Sequence, residues 1–208
     1  QLGNVGWSWK DVLPYFKKSE DNQQGKDHFH GVGGPLKVEK IRASFKVLDL
    51  FMEAAEEFGY PRTSDFNTGN NEGMGYFPLN VKNGYRCSTA VGYLNPIKKR
   101  KNLKILTNAH IKNIEFENRK AVSVNFWKNN QLLNVKTNKE IILSAGTIGS
   151  PHILQASGVG PGALLKKNDI NVVKDHPSVG KNLHDHLMLR PVYKVKNLDT
   201  LNDIYHSY

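Results

Sequence analysis

The sequence predicts an α/β chain, more narrowly an α+β arrangement, from three observations. A short apolar run at 141–143 leads through small residues into a helix, the pattern of a strand covered on both faces followed by its crossover. A series of brief, partly alternating runs fills 103–136 and reads as an antiparallel β-meander. Two amphipathic helical stripes lie in the first 60 residues.

In chain order, residues 9–20 suit a short helix with Trp9, Val12, Leu13 and Phe16 on its apolar side, its regular part limited by Pro14. A polar, glycine-rich loop covers 25–34, and 36–38 suits a brief strand. Ser44 is placed to cap a helix reaching Phe58, where Phe45, Leu48, Phe51, Met52 and Ala55 form one stripe; Gly59 and Pro61 end it. Residues 62–84, rich in Gly, Asn and Asp, read as a long ordered excursion of the kind that shapes binding sites, and a helix is expected over 88–94. The meander runs are LKIL, IKNIEFE, AVSVNFW and QLLNVKT, separated by NAH, NRK and KNN. Val122, Val124 and Phe126 alternate cleanly; Ile111, Ile114 and Phe116 do so only in part.

The segment at 139–161, KEIILSAGTIGSPHILQASGVGP, is the most informative. Ile141, Ile142 and Leu143 suit a buried strand, and Ala145 and Gly146 then leave almost no side chain. Small residues at the carboxyl end of a strand let backbone approach a bulky ligand, in the crevice where open α/β sheets bind them. Pro151 fits the first turn of a helix carrying Ile153, Leu154 and Ala156, stopped by Ser157, Gly158 and Gly160.

Lys and Arg number 29 against 19 Asp and Glu, a formal charge of +10, open to nucleic acid, an anionic surface or plain lysine solvation. The densest cluster, Lys98, Lys99, Arg100 and Lys101, follows Pro96 in a loop, and solvation accounts for it most simply. A basic interaction domain without catalysis stands as the alternative function. With Cys87 as the single cysteine, no disulfide forms within the chain and no CxxC metal clip exists. No apolar run reaches 18 residues, the length of a spanning helix.

Three constellations invite chemistry. His184, Asp185 and His186 could be read as a metal or proton-sharing site, but neighbouring residues seldom converge on one ion without further ligands, so no metal is assigned. His28 and His30 form a second pair, in a glycine-rich setting with only Asp27 as a nearby acid, which favours a loop role. Arg86, Cys87 and Ser88 put a thiol beside a cation, yet no histidine follows at a recognisable spacing, and Arg86 and Ser88 are expected to hold the loop as donors.

The wording of Gly146, Thr147, Ser150, Pro151, Ile153, Leu154, Ser157, Gly158 and Gly160 resembles the second diagnostic motif of the glucose-methanol-choline (GMC) family of flavin-dependent oxidoreductases. Five further segments resemble the same family in the same order: 3–20, 30–38, 65–77, 83–96 and 178–186, the last with Asn182, Leu183, Asp185 and His186 in the usual NLxDH wording. The likeness is strongest to the bacterial choline and alcohol dehydrogenase branch. It implies part of a Rossmann-like FAD-binding domain with an inserted antiparallel meander, together with part of a substrate-binding domain. Residues 1–38 would be periphery of the FAD domain and a lid-like segment, 39–100 substrate-binding domain and ordered loops, 101–190 FAD-binding domain, and 191–208 the start of a return to the substrate domain. It also implies that Ile111 meets the adenine of FAD through its backbone, that Ala145 and Gly146 lie against the dinucleotide, and that Ser150 and Pro151 set the start of the helix. The activity implied is oxidation of a primary alcohol by hydride transfer to flavin N5, in a protein that is cytoplasmic or peripheral to a bacterial-type membrane and takes no nucleic acid. The chain resembles the middle of such an enzyme, with neither the pyrophosphate fingerprint nor the catalytic base, so these residues alone are expected to be inactive.

Overall fold

In the computed structural model, which describes residues 3–206, the chain forms two compact units: residues 1–104 with 192–208, and residues 105–191. The architecture is α+β with mixed parallel and antiparallel pairing, as the sequence predicts.

The first unit opens on α1 (Trp9–Ser19), whose start is held by the Asp11 carboxylate accepting the N–H and the hydroxyl of Ser8 at 3.0 and 2.6 Å. Pro14 does not end the helix. It only removes the N–H that would reach the Lys10 carbonyl, and the helix continues to Ser19. The chain then passes directly into β1 (Glu20–Asn22), which pairs in parallel with β2 (Leu36–Val38). The loop between them passes so close to α1 that a side chain at Gly31 would run into the Lys17 carbonyl. That contact is why glycine stands there.

Helix α2 (Lys46–Glu57) begins one residue later than the sequence suggests, and Phe45 takes the capping position in place of Ser44. Its start is secured by Tyr76: the phenol accepts the Phe45 N–H at 3.2 Å and donates to Asp49 at 2.8 Å, while Met52 is the buried residue of the apolar stripe. The excursion thus covers α2. It closes on itself through Thr63 and Met74, then leads to a hairpin of β3 (Val81–Lys82) and β4 (Tyr85–Arg86) turning on Asn83 and Gly84, both at positive φ. A π-helical turn at Ala90–Leu94 occupies the expected helix. Near the other end of the chain, Tyr193 packs against Phe51 at 5.7 Å between ring centres, ahead of α5 (Leu201–His206).

The second unit is built on the meander β5 (His110–Glu117), β6 (Lys120–Lys128) and β7 (Gln131–Lys136), in that spatial order. Both turns are two-residue connections, Asn118-Arg119 and Asn129-Asn130, with all four residues at positive φ; this is the twist that tight hairpins require and that Asn tolerates. Two further strands expected from the sequence are absent: 103–106 and 140–143 have no ladder partner among the described residues. A strand exists only where its backbone groups are paired. Ile142 is accordingly 77% exposed.

Helix α3 (Gly146–Ala156) packs on β5. It starts five residues before Pro151, which therefore lies inside the helix and not in its first turn. After α3 comes a parallel pair, β8 (Val159–Gly160) with β9 (Lys174–Asp175), enclosing the short α4 (Gly162–Lys167), whose Leu165 is 1% exposed.

Candidate functional site

The start of α3 is shaped by two backbone choices. Ala145 leaves the extended region with φ −87° and ψ 13°, and Gly146 adopts φ +80°, a conformation disfavoured for residues with a Cβ. Beyond the adjoining residues and the backbone of its own helix, no atom lies within 4 Å of where a Gly146 Cβ would stand, so the turn is open on that side. Ser150 holds it from within, its Oγ accepting the Ala145 N–H at 3.1 Å. That matches the role expected of Ser150. The first N–H groups of α3 have no intrahelical acceptors and no side-chain cap, leaving a local positive potential at the turn.

Beside this turn is a cleft of about 440 Å³, lined by Thr147, Ile148 and His152 on the helix and by Gly180, Lys181 and Asn182 opposite. Two segments singled out in the sequence are thereby brought together. Gln155 makes the link: its Nε2 donates to the Val179 carbonyl at 3.0 Å, fastening the 176–184 turns to α3. His184 also lines the cleft, whereas His186 is tied only locally, its N–H donating to Asp185 at 2.8 Å. Among the described residues no group of three or more His, Cys, Asp or Glu side chains could hold a metal ion.

Ile111 is not part of that lining. It sits half-buried on β5 opposite Phe126, beside a register shift before Asn113. Its strand is fixed to α3 three residues further on, where the Ile114 N–H donates to the buried Ser157 hydroxyl at 2.8 Å and that hydroxyl donates to the Ile153 carbonyl at 2.5 Å. Helical periodicity marks Ser157 as a stop signal, and its bridging role has no sequence signature.

The face of the meander away from Ile114 and Phe126 carries an unforeseen polar array. Glu115 accepts from the Ser123 hydroxyl, from Asn125 at 2.8 Å and from Asn134 at 3.2 Å, and Asn134 also donates to Asn125 at 2.8 Å. The hydrogen bond from Ser123, then that from Asn125, holds the Glu115 carboxyl below its usual range.

The remaining candidates change meaning. Cys87 is buried, its sulfur near the Lys37 N–H at 3.5 Å, and Ser88 accepts the Val91 N–H at 3.3 Å instead of acting as a donor. His30 is not a simple loop residue with Asp27 as its single acid. It is buried, with Glu20 at 3.0 Å from Nδ1 and Asp65 at 3.1 Å from Nε2, two acids that lie far from it in sequence.

The sequence profile of the GMC oxidoreductase family matches residues 1–188. The chain belongs to the GMC oxidoreductase family. It is 43% identical over 196 residues to the oxygen-dependent choline dehydrogenase of Pectobacterium atrosepticum, covering 93% of this chain and 35% of that protein. To the enzyme of the same name from Pseudomonas putida it is 44% identical over 191 residues, 90% of this chain and 34% of the other. The chain therefore spans about a third of the length of the curated relatives it matches.

Among solved structures, an FAD-dependent oxidoreductase from Chaetomium thermophilum superposes with a TM-score of 0.80 at 32% identity, covering 88% of this chain and 34% of that one. Pyridoxine 4-oxidase from Mesorbium loti gives 0.78 at 31%, covering 85% and 35%. Both likenesses support the α+β architecture of this GMC chain. Among its described residues no helix is long and apolar enough to cross a membrane.

Proposed function

We propose that this GMC chain is part of an FAD-dependent oxidoreductase that converts a primary alcohol, choline-like or other, to the aldehyde. The observation that carries the reading is the bare turn at Ala145 and Gly146, which stands in the family motif and has no atom from beyond the adjoining residues and its own helix backbone within 4 Å of a Gly146 Cβ position. The turn fits an anionic dinucleotide: the glycine conformation permits close approach, the uncapped N–H groups of α3 favour negative charge, and Lys181 adds a cation on the cleft wall.

FAD, when bound, supplies the acceptor for the hydride that leaves the alcohol carbon. The tasks of this chain are approach and orientation. Ala145 and Gly146 admit the dinucleotide, Ile111 offers its main chain to the adenine, and Gln155 keeps the 176–184 turns against α3 so that the cleft retains its shape. No described residue is assigned as the base that takes the hydroxyl proton. In the complete protein, residues 101–190 serve the FAD-binding half and 39–100 the substrate half, with 1–38 as periphery and lid and 191–208 beginning a return to the substrate half.

Anaerobic addition of primary alcohols to the complete polypeptide tests the activity. Bleaching of the oxidised flavin bands by at least one of them is the expected result. A flavin-loaded protein that no primary alcohol reduces would contradict it.

A further inference from the structure

The buried His30 cluster joins three stretches of chain within the first unit. Glu20 comes from β1, His30 from the β1–β2 loop, and Asp65 from the excursion that follows α2. Carboxylates accept hydrogen bonds and cannot donate them, so an imidazole with one on each ring nitrogen has an N–H for both only when it is protonated. Nδ1 lies 3.0 Å from Glu20 Oε1, whose partner oxygen also accepts the Gly31 N–H at 2.8 Å. Nε2 is 3.1 Å from Asp65 Oδ2, at ion-pair distance, yet it makes no well-directed hydrogen bond. The Asp65 side of the cluster is therefore held by charge more than by a directed bond.

A second hydrogen-bond pattern is already in place. Asn22 Nδ2 stands 3.1 Å from His30 Nδ1 and 3.1 Å from Glu20 Oε1, and its orientation is fixed because Asn22 Oδ1 accepts the Gln24 N–H at 2.9 Å. With the ring charged, Nδ1–H donates to Glu20 and Asn22 also donates to Glu20. With the ring neutral, Asn22 donates to Nδ1. What the neutral state lacks is compensation of charge: Glu20, Asp65 and Asp27, which accepts the His30 N–H at 2.6 Å, then surround an uncharged ring. The cation facing this loop is Lys17, whose Nζ donates to the carbonyls of Asp27 and His28 at 2.5 and 2.8 Å.

We propose that His30 is a proton-operated latch that fastens the excursion carrying Asp65 to β1 when the ring is protonated and releases it when the proton leaves. Asp65 suits the moving side because one carboxylate does two jobs: Oδ1 accepts the Asn67 N–H at 2.8 Å to set the turn, and Oδ2 faces His30. The excursion has its own closure through the Thr63 N–H to the Met74 carbonyl at 2.9 Å, so release loosens its attachment without dissolving it. Burial by itself disfavours the charged ring, but the hydrogen bond with Glu20 and the charges of Glu20, Asp65 and Asp27 outweigh it, and the His30 pKa is raised above 6.5. A raised pKa means that the latch is fully engaged below about 6.5 and is lost as pH rises through the higher folded value.

Hydrogen exchange of the 63–69 backbone in the complete polypeptide, corrected for intrinsic rates between pH 5.5 and 8.5, tests the latch. The wild type should lose protection by about tenfold for each unit by which the His30 pKa is raised, a pKa unit being a factor of ten in the equilibrium. His30→Gln should show no such transition. Asp65→Asn removes the charge that faces Nε2 and should both shrink the transition and move what remains of it to lower pH, which keeps the test decisive if His30→Gln fails to fold. Protection of 63–69 that does not change with pH in the wild type, a transition that survives in His30→Gln, or one that stays at the same pH in Asp65→Asn would overturn the proposal.

Discussion

The Ser157 hydroxyl accepts the N–H of Ile114 at 2.8 Å and in the same geometry donates to the Ile153 carbonyl at 2.5 Å. One buried oxygen thus joins a meander strand to the helix that opens at Gly146. Position along β5 and position along α3 are coupled by it.

Ser157→Ala leaves the buried Ile114 N–H without a partner, and the expected cost is about 1–3 kcal/mol, the usual range for an orphaned buried donor. Hydrogen exchange at the Ile114 amide should quicken, together with a lower midpoint of thermal unfolding. Unchanged exchange at Ile114 would show that the β5–α3 junction does not depend on this hydroxyl.

At Gly146 two causes of glycine can be separated. Gly146→Ala should destabilise the turn by about 1–2 kcal/mol, because φ is +80° and a Cβ is disfavoured there whatever the space. Asn tolerates that conformation better, so Gly146→Asn should keep the fold closer to wild type while placing side-chain atoms over the open face. Flavin occupancy measured beside thermal unfolding distinguishes the two: a folded Gly146→Asn protein is expected to hold FAD less well. Equal occupancy in wild type and Gly146→Asn would remove the dinucleotide from this turn.

Much of this was legible in the sequence, and the misses share physical causes. Val122, Val124 and Phe126 alternate over a strand long enough to show its period, and the Asn-rich turns flank it, so the meander was readable. The 140–143 run has the composition of a strand but no pairing partner among the described residues, and composition cannot supply one. Asn83-Gly84 is a hairpin signal, but it lies within the glycine-rich excursion between strands of two residues each, while β8 and β9 are too short to have a period. The positive φ of Gly146 falls within a stretch whose neighbours carry a specific family wording. The partners of His30 were hidden because Glu20 and Asp65 are 10 and 35 residues away, and only the parallel β1–β2 pairing and the closing excursion make them neighbours.

The polar array on the meander gives the protein an acid-sensitive element. Glu115 has a folded pKa below its ordinary 4.5, so its contribution is present above about 4.5 and is lost as pH falls through the folded value. In Glu115→Gln the acid limb of stability below pH 4.5 should be flatter than in the wild type, because the amide does not titrate. Unfolding midpoints in urea at a series of pH values from 7 downward check this. Parallel acid limbs in the two proteins would mean that the array contributes nothing that titrates.

The central claim is that the turn at Ala145 and Gly146 belongs to an FAD site, and the absorbance spectrum of the purified complete polypeptide tests it most directly. The account predicts the visible bands of an oxidised flavin, either as isolated or after incubation with FAD and removal of the excess. A folded protein with no flavin absorbance even after that reconstitution would contradict it.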